Sequence, residues 1–268
     1  MASTSIGVFD SGFGGLTVLK ALLELIPCAN YLYFGDTARL PYGSKSAETV
    51  AKYAVEAARF LNQQGAQMLV VACNTATALA LGKITQSVSI PVVGVVEPGA
   101  QRAAAASMKR KAVVIGTEAT VSSHAYLKAL QNLGVEAREK ACPLFVPLVE
   151  EGWVEHAVTE QVARIYLGEA FSDGFESADV LVLGCTHYPL IKSLLRRLAP
   201  PHVTIVDSAE STAHVVKDLL PQHNRQGEKH GSLSLKFFAT DSVEKFQRLG
   251  ARFLDRPISD VEHVDLRE

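Results

Sequence analysis

Short runs of apolar residues alternate along the chain with longer stretches in which apolar residues recur at helical spacing. Ile6–Phe9 has the apolar, partly β-branched composition of a buried strand, and the glycine-rich loop Asp10–Gly15 and a helix to about Ile26 are predicted after it. Asn30–Gly35 is predicted to be a second strand. Further apolar runs predict buried parallel strands at Met68–Ala72, Val92–Val96, Ala112–Ile115, Val180–Leu183 and Val203–Val206.

Helical periodicity is clearest in the stretch from Ala47 to Gln64, where Val50, Ala54 and Leu61 fall on one face. Because glycine readily adopts the left-handed conformation, Gly65 is predicted to end this helix from the C′ position. The sequence therefore predicts one long amphipathic helix packed on a sheet.

The pattern changes after residue 220. Gln222–Ser232 is polar and rich in turn-forming residues, which predicts an exposed loop. Leu233–Phe238 is predicted to be a strand. Asp241 and Glu244 have the spacing of a capping box, which predicts another helix at that point.

The alternation of strands and helices is typical of an α/β fold with mainly parallel sheets and helices on both faces. Met68–Thr75 and Val180–His187 share a pattern of four apolar residues, one small residue, a cysteine and two polar residues. A fainter similarity relates Ile6–Ser11 to Val113–Thr117. We therefore expect two halves of like fold.

Composition narrows the class of protein. The chain has 268 residues, 48% of them hydrophobic and 20% charged, which indicates a globular protein with a real core. Its net charge of −2 creates no general attraction for nucleic acid or anionic membranes. From the sequence we expect no signal peptide, transmembrane run, disulfide framework or metal site. A cytoplasmic protein without a metal, nucleic-acid or membrane partner is expected.

Two cysteines are predicted at the carboxyl ends of strands, where open α/β sheets bind ligands. Cys73 and Cys185 are each expected directly before a helix, whose N-terminus lowers the pKa of a thiol. If the two halves face each other across a cleft, two thiols flank a small ligand. Such a pair can remove a proton from one face of a carbon and return one to the opposite face.

The alternative is that these cysteines simply pack as small apolar residues, which is the better explanation for either one alone. The polar residues that follow them, Asn74-Thr75 and Thr186-His187, favour a site instead. Cys28 and Cys142 lack such neighbours, and we assign them to packing.

The loop Asp10–Gly15 can bind an anion on its backbone N–H groups, although a simple tight turn explains it equally well. It lacks the third glycine of a dinucleotide fingerprint and the GK[ST] of a P-loop. Asp10, at the end of a strand, can activate or orient a nearby group. The pattern by itself assigns no role to Pro41–Gly43, Glu150 or His187.

Five short motifs occur in order between Ile6 and Asp207. They are Asp10-Ser-Gly-x-Gly-Gly15, Gly35-Asp-Thr-Ala-Arg-x-Pro-Tyr-Gly43, Ala72-Cys-Asn-Thr-Ala76, Phe145-Val-Pro-Leu-Val-Glu-Glu151 and Gly184-Cys-Thr-His-Tyr-Pro189. Together they resemble the glutamate racemases of the cofactor-independent aspartate/glutamate racemase superfamily. The segment after Gln222 carries none of these motifs.

The resemblance implies interconversion of L- and D-glutamate without a cofactor, with Cys73 and Cys185 as the acid/base pair on opposite faces of Cα. It implies that Asp10, Glu150 and His187 assist the thiols, and Asp36 is a weaker candidate for this role. The residues that it implies for holding the substrate are Asp10, Ser11, Tyr42, Gly43, Asn74, Thr75, Thr117, Thr120, Thr186 and His187.

The resemblance also implies two pseudo-symmetric, doubly wound α/β domains with the site in the cleft between them. We expect the first domain to contain residues 1–97 plus 208–268 and the second to contain residues 98–207. A homodimer is expected, and the product D-glutamate would supply bacterial peptidoglycan synthesis.

Three other functions stay open. A racemase of the same superfamily that acts on aspartate or another acidic amino acid would share the paired cysteines, although the Pro41–Gly43 and Cys185–Pro189 motifs favour glutamate. A non-catalytic small-ligand-binding protein could also have two α/β halves, with the cysteines merely packed. A pyridoxal-phosphate racemase needs a Schiff-base lysine, and no lysine lies in a persuasive loop.

Overall fold

The structure, a computed structural model, describes residues 4–220 and 234–266. Within these ranges the strands form two sheets, and every recorded strand pair is parallel. The strands are β1 (Ser5–Asp10), β2 (Asn30–Gly35), β3 (Met68–Val71), β4 (Val92–Gly94), β5 (Lys111–Gly116), β6 (Glu136–Ala141), β7 (Val180–Gly184), β8 (Thr204–Asp207), β9 (Leu235–Ala239) and β10 (Val261–His263).

Helices connect most of the strands, as the alternating pattern predicts. They are α1 (Leu16–Leu25), α2 (Ala47–Gln63), α3 (Asn74–Ser87), α4 (Val96–Ala106), α5 (Glu118–Ser123), α6 (Ala125–Asn132), α7 (Phe145–Glu150), α8 (Ala157–Ala170), α9 (Lys192–Leu198), α10 (Ser208–Leu219) and α11 (Val243–Leu254). Short 3₁₀ turns cover Tyr42–Ser44 and Tyr188–Ile191.

The two sheets share a four-strand topology. The larger sheet has the order β10-β9-β2-β1-β3-β4, and the smaller sheet has the order β6-β5-β7-β8. The run β2-β1-β3-β4 thus matches β6-β5-β7-β8, with β1 equivalent to β5 and β3 equivalent to β7. These are the same pairs that the internal sequence similarity relates. The mixed α/β class with two parallel sheets is confirmed.

The central strands are buried because helices cover both faces of each sheet. All residues of β3 and β7 are buried, which explains why these strands are continuous apolar runs rather than alternating ones. The amphipathic helix α2 begins after Ser46, whose side chain accepts a hydrogen bond from the Thr49 N–H. It ends before Gly65, which has the positive φ of 91° that the sequence predicts for this position.

Two edge strands have no counterpart among the predicted strands. β6 has the sequence EAREKA, and β10 has the sequence VEH. Both lie at an edge of their sheet, where one side faces away from the core. Because such strands need no continuous apolar run, the search for apolar runs misses them.

Two local predictions are wrong and one falls outside the described residues. The strand predicted at Val92–Val96 ends at Gly94, and Val96 already begins α4. The capping box before α11 does not form, because the Asp241 side chain accepts a hydrogen bond from the adjacent Ser242 N–H instead. The loop predicted at Gln222–Ser232 lies outside the described residues.

The glycine-rich loop after β1 lies against the residues that follow β7. A Cβ at Gly14 would clash with Thr186 Oγ1 and lie 2.6 Å from His187 Nδ1. Only glycine therefore allows the two sheets to approach this closely at their carboxyl ends. The contact brings the polar residues of both strand ends to one place.

Gly14→Ala is expected to lower the free energy of unfolding by roughly 1–3 kcal/mol, because the added methyl group forces Thr186 and His187 to move. The matched control is Gly82→Ala within α3, where a Cβ meets nothing within 4 Å. This second change should raise the free energy of unfolding by up to about 1 kcal/mol. Urea unfolding measures both values, and equal effects of the two substitutions would contradict the close approach at Gly14.

Candidate functional site

A cavity lies where the carboxyl ends of β1 and β3 face those of β5 and β7. Ser11 and Cys73 come from the larger sheet, and Thr117 and Cys185 come from the smaller one. The sequence-predicted residues that line this cavity are Ser11, Tyr42, Gly43, Cys73, Asn74, Thr75, Thr117, Glu150, Cys185, Thr186 and His187. The cavity therefore has one thiol from each sheet.

Cys73 is the N-cap residue of α3, as expected from its place after a strand. Its Sγ accepts a hydrogen bond from the Ala76 N–H at 3.4 Å and donates one to Ser11 Oγ at 3.5 Å. The sequence leads us to expect a lowered pKa here, and that expectation is wrong. Burial, with the nearby Asp10 carboxylate as the second cause, raises the pKa of the Cys73 thiol to about 12.

Cys185 has different surroundings, contrary to the expectation that both thiols precede a helix. The 3₁₀ turn Tyr188–Ile191, and not an α-helix, follows it. Its Sγ lies 3.9 Å from His187 Nδ1. The polar partner of this thiol is therefore an imidazole ring and not the N-terminus of an α-helix. The two thiols are therefore chemically unequal in the structure.

His187 is 7% exposed and connects Cys185 to a carboxylate. Its Nε2 lies 3.2 Å from Glu150 Oε1. Burial favours the neutral imidazole, but the contacts with Cys185 and Glu150 outweigh burial and raise the pKa of His187 to about 10. The imidazole is thus held in its protonated form at neutral pH, next to the sulfur of Cys185.

Asp10 lies beneath the cavity wall and is completely buried. Its Oδ2 accepts a hydrogen bond from the Gly12 N–H at 2.9 Å. Burial raises the pKa of the Asp10 carboxyl, and the opposing effects of His187 and of three loop N–H groups do not cancel this rise. Asp10 is therefore placed to interact with Cys73 without contacting the cavity directly.

Two buried side-chain nitrogen or oxygen atoms in the part of the chain that the structure describes have no hydrogen-bond partner. They are Asp10 Oδ1 and Asn74 Nδ2. Asn74 Oδ1 is occupied, because it accepts a hydrogen bond from the Tyr126 hydroxyl at 2.7 Å. Since Asn74 lines the cavity, its unpaired N–H₂ group is available to donate to a bound acceptor.

Three threonine hydroxyls form a triangle that joins the two halves of the site. Thr75 Oγ1 lies 2.9 Å from Thr117 Oγ1 and 3.1 Å from Thr120 Oγ1, and the last two are 2.9 Å apart. Thr75 and Thr117 line the cavity, whereas Thr120 is buried behind them. The three mutual hydrogen bonds use all three hydroxyl protons, so Thr75 or Thr117 donates to a ligand by turning its O–H group away from the triangle.

The weaker candidate, Asp36, does not line the cavity. It accepts hydrogen bonds from the Tyr42 hydroxyl at 2.5 Å and the Thr240 hydroxyl at 2.9 Å. Burial raises the pKa of the Asp36 carboxyl, and these two hydrogen bonds counteract only part of that effect. Its contact with the site thus runs through the ring of Tyr42, which lies in the cavity wall.

Sequence reasoning did not identify several residues around the cavity. Further lining residues are Gly12, Leu40, Pro41, Ser44, Glu118, Pro143, Val146, Pro147 and Gly184. Two residues of α11 lie behind the site: the Phe253 ring packs edge-on to His187 at 5.2 Å, and Lys245 Nζ is 3.9 Å from Glu150 Oε2. Most of the lining residues belong to or adjoin the five motifs. No sequence signal marks Lys245 or Phe253.

Across residues 4–220 and 234–266, no set of three or more His, Cys, Asp or Glu side chains is grouped as metal ligands. Over the same residues, no helix combines the length and the apolar character that crossing a membrane requires.

Comparison with known proteins gives a consistent result. The family model for Asp/Glu/Hydantoin racemase matches residues 6–216. The glutamate racemase of Koribacter versatilis is 57% identical, and the alignment covers 97% of each chain.

Solved structures agree with the sequence comparison. The glutamate racemase of Francisella tularensis in complex with D-glutamate has a TM-score of 0.90 at 34% identity, over 98% of both chains. The glutamate racemase of Thermus thermophilus in complex with β-chloro-D-alanine has a TM-score of 0.87 at 44% identity, also over 98% of both chains. The non-catalytic alternative is therefore set aside: the chain belongs to the Asp/Glu/Hydantoin racemase family and is an amino-acid racemase.

Proposed function

We propose that this racemase interconverts L- and D-glutamate by proton transfer at Cα between Cys73 and Cys185, without a cofactor. The main observation in support of the proposal is that one thiol from each sheet lines the cavity. An acid and a base on opposite sides of one carbon are what inversion at that carbon requires. The relatives at full-length similarity are glutamate racemases, which supports glutamate over aspartate as the substrate.

The donors around the cavity suit a substrate with two carboxylates. Asn74 Nδ2 has no partner in the protein, and the hydroxyls of Ser11, Thr75 and Thr117 reach the same space. Hydrogen bonds from such neutral donors bind a carboxylate and stabilise the charge that develops when Cα loses its proton. We assign substrate binding to Ser11, Tyr42, Gly43, Asn74, Thr75, Thr117, Thr120 and Thr186, with Asp10 and His187 beside them.

The proposed step begins with a thiolate at Cys185 and a thiol at Cys73. The raised pKa of Cys73 keeps its proton on the sulfur. The imidazole of His187, 3.9 Å from the Cys185 sulfur, is placed as the counter-ion of that thiolate. Cys185 removes the Cα proton, and Cys73 donates its own proton to the opposite face. Turnover leaves the two thiols with exchanged protonation states, and proton exchange with water restores the starting state.

Glu150 and Asp10 are proposed to assist different thiols. Glu150 contacts His187 and thus supports the charge beside Cys185, whereas Asp10 raises the pKa of Cys73. Asp10 itself has a raised pKa and a free Oδ1, so it can take up a proton when Cys73 acts as a base. Each direction of the reaction would then depend on a different carboxylate.

Further parts of the proposal concern organisation and biological role. We propose a division into residues 1–97 plus 208–268 and residues 98–207, which the two separate sheets support. We also propose a homodimer in the cytoplasm that supplies D-glutamate for peptidoglycan. These proposals rest on the resemblance to the glutamate racemases.

Cys73→Ser and Cys185→Ser are each expected to lower kcat for glutamate racemisation by about 1,000-fold or more, because each removes one acid/base group. Cys28→Ser is the matched control, since Cys28 lies outside the cavity. Circular dichroism of the substrate measures racemisation, and protein unfolding curves show that the fold is retained. Turnover near the wild-type rate in either cavity variant would contradict the two-thiol mechanism.

The charge of His187 predicts how stability varies with pH. The folded pKa of about 10 exceeds the unfolded value of 6.5, so the contribution of the charged ring is complete below pH 6.5 and lost as the pH rises through 10. The difference in unfolding free energy between the wild type and His187→Gln should therefore shrink from pH 6.5 to pH 10. Urea unfolding across this interval measures it, and a constant difference would show that His187 is neutral in the folded protein.

A further inference from the structure

The helix α11 supports one side of the proposed proton-transfer site, although it carries none of the five motifs. Its residue Phe253 packs edge-on to the ring of His187. One face of the same helix places Lys245 Nζ 3.9 Å from Glu150 Oε2. The groups Cys185, His187, Glu150 and Lys245 thus form a continuous line of contacts.

Each oxygen of the Glu150 carboxylate faces a different positive group. Oε1 contacts the ring of His187, and Oε2 faces the ammonium group of Lys245. A carboxylate held at only one oxygen can rotate about its terminal bond. A cation at the second oxygen limits this rotation and keeps the first oxygen directed at the imidazole.

Lys245 also packs against an aromatic ring. Its Nζ lies 5.6 Å from the centre of the Phe13 ring, which is within cation–π range. Phe13 is buried in the glycine-rich loop after β1, whereas Glu150 is the last residue of α7 and lines the cavity. Lys245 therefore connects the loop that carries Asp10 to the carboxylate that supports His187.

We propose that Lys245 is a positioning residue for proton transfer at Cys185, because it fixes the Glu150 carboxylate against His187. This inference rests on the proposed function and extends it to α11. The Lys245 side chain is 44% exposed and the Glu150 side chain is 16% exposed, so the pair adds little to stability. The Lys245–Glu150 pair instead keeps the Glu150 carboxylate oriented towards the buried imidazole of His187.

The test compares Lys245→Met with Lys245→Arg. Removal of the charge should lower kcat by about two- to fivefold, the range expected for loss of one partly exposed ion pair, and leave KM within about twofold. Arginine keeps a cation near Glu150 and should restore most of kcat. Lys236→Met is the matched control, because Lys236 is an exposed lysine of β9, and it should leave activity unchanged.

Isotope effects separate a positioning role from a general loss of structure. With α-deuterated glutamate, Lys245→Met should raise the isotope effect on kcat/KM for the enantiomer whose proton Cys185 removes. For the other enantiomer the isotope effect should fall, because reprotonation by Cys185 then limits the rate. Partial unfolding reduces the amount of active enzyme and leaves both isotope effects unchanged.

Isotope effects in Lys245→Met that equal the wild-type values for both enantiomers, or a loss of kcat that arginine does not restore, would overturn the inference. The proposed function fails under a different result, namely retained activity in Cys185→Ser. If Cys185→Ser is inactive while Lys245→Met has wild-type kinetics, only the role of Lys245 is wrong.

Discussion

Exclusion of water from ionisable groups is the constraint on which the site depends. Burial penalises the charged form of a side chain, and only fixed partners can reverse that penalty. His187 has two such partners, Cys185 and Glu150, and it keeps its proton. Cys73 has the Asp10 carboxylate nearby instead, and it also keeps its proton. The same physical effect therefore produces a charged imidazolium beside one thiol and leaves the other thiol neutral.

In the proposed mechanism this difference matters, because one thiol removes the Cα proton as a base while the other donates a proton as an acid. Two thiols in identical surroundings would have no fixed preference for which one is ionised. The surroundings of the two thiols differ before the substrate arrives, because burial and Asp10 raise the pKa of Cys73 whereas a protonated imidazole lies beside Cys185. The close approach of the strand ends at Gly14 then keeps His187 near the other half of the site.

Local sequence signals were sufficient for much of the fold and for the core of the site. Buried strands such as β3 and β7 are apolar runs, and the polar residues directly after them identify Cys73 and Cys185. The internal similarity between these segments anticipates the shared strand order. Residues close in sequence determine each of these features, so a pattern can reveal them.

Features that depend on distant contacts were not predictable in this way. The pKa of Cys73 follows from burial and Asp10 more than from the helix that begins beside it. The contact between Lys245 and Glu150 joins segments far apart in the chain. The edge strand β6 lacks an apolar run because its place in the sheet does not require one. These three features are determined by tertiary contacts and not by the local sequence.

Racemisation of L-glutamate in D₂O, followed to low conversion, tests the two-thiol mechanism most directly. Polarimetry gives the extent of reaction, and proton NMR after separation of the enantiomers gives the isotope at each Cα. The two-thiol mechanism predicts deuterium in the D-glutamate formed and protium in the L-glutamate that has not reacted. Protium retained in the product, or deuterium appearing equally in both enantiomers from the start, would contradict it.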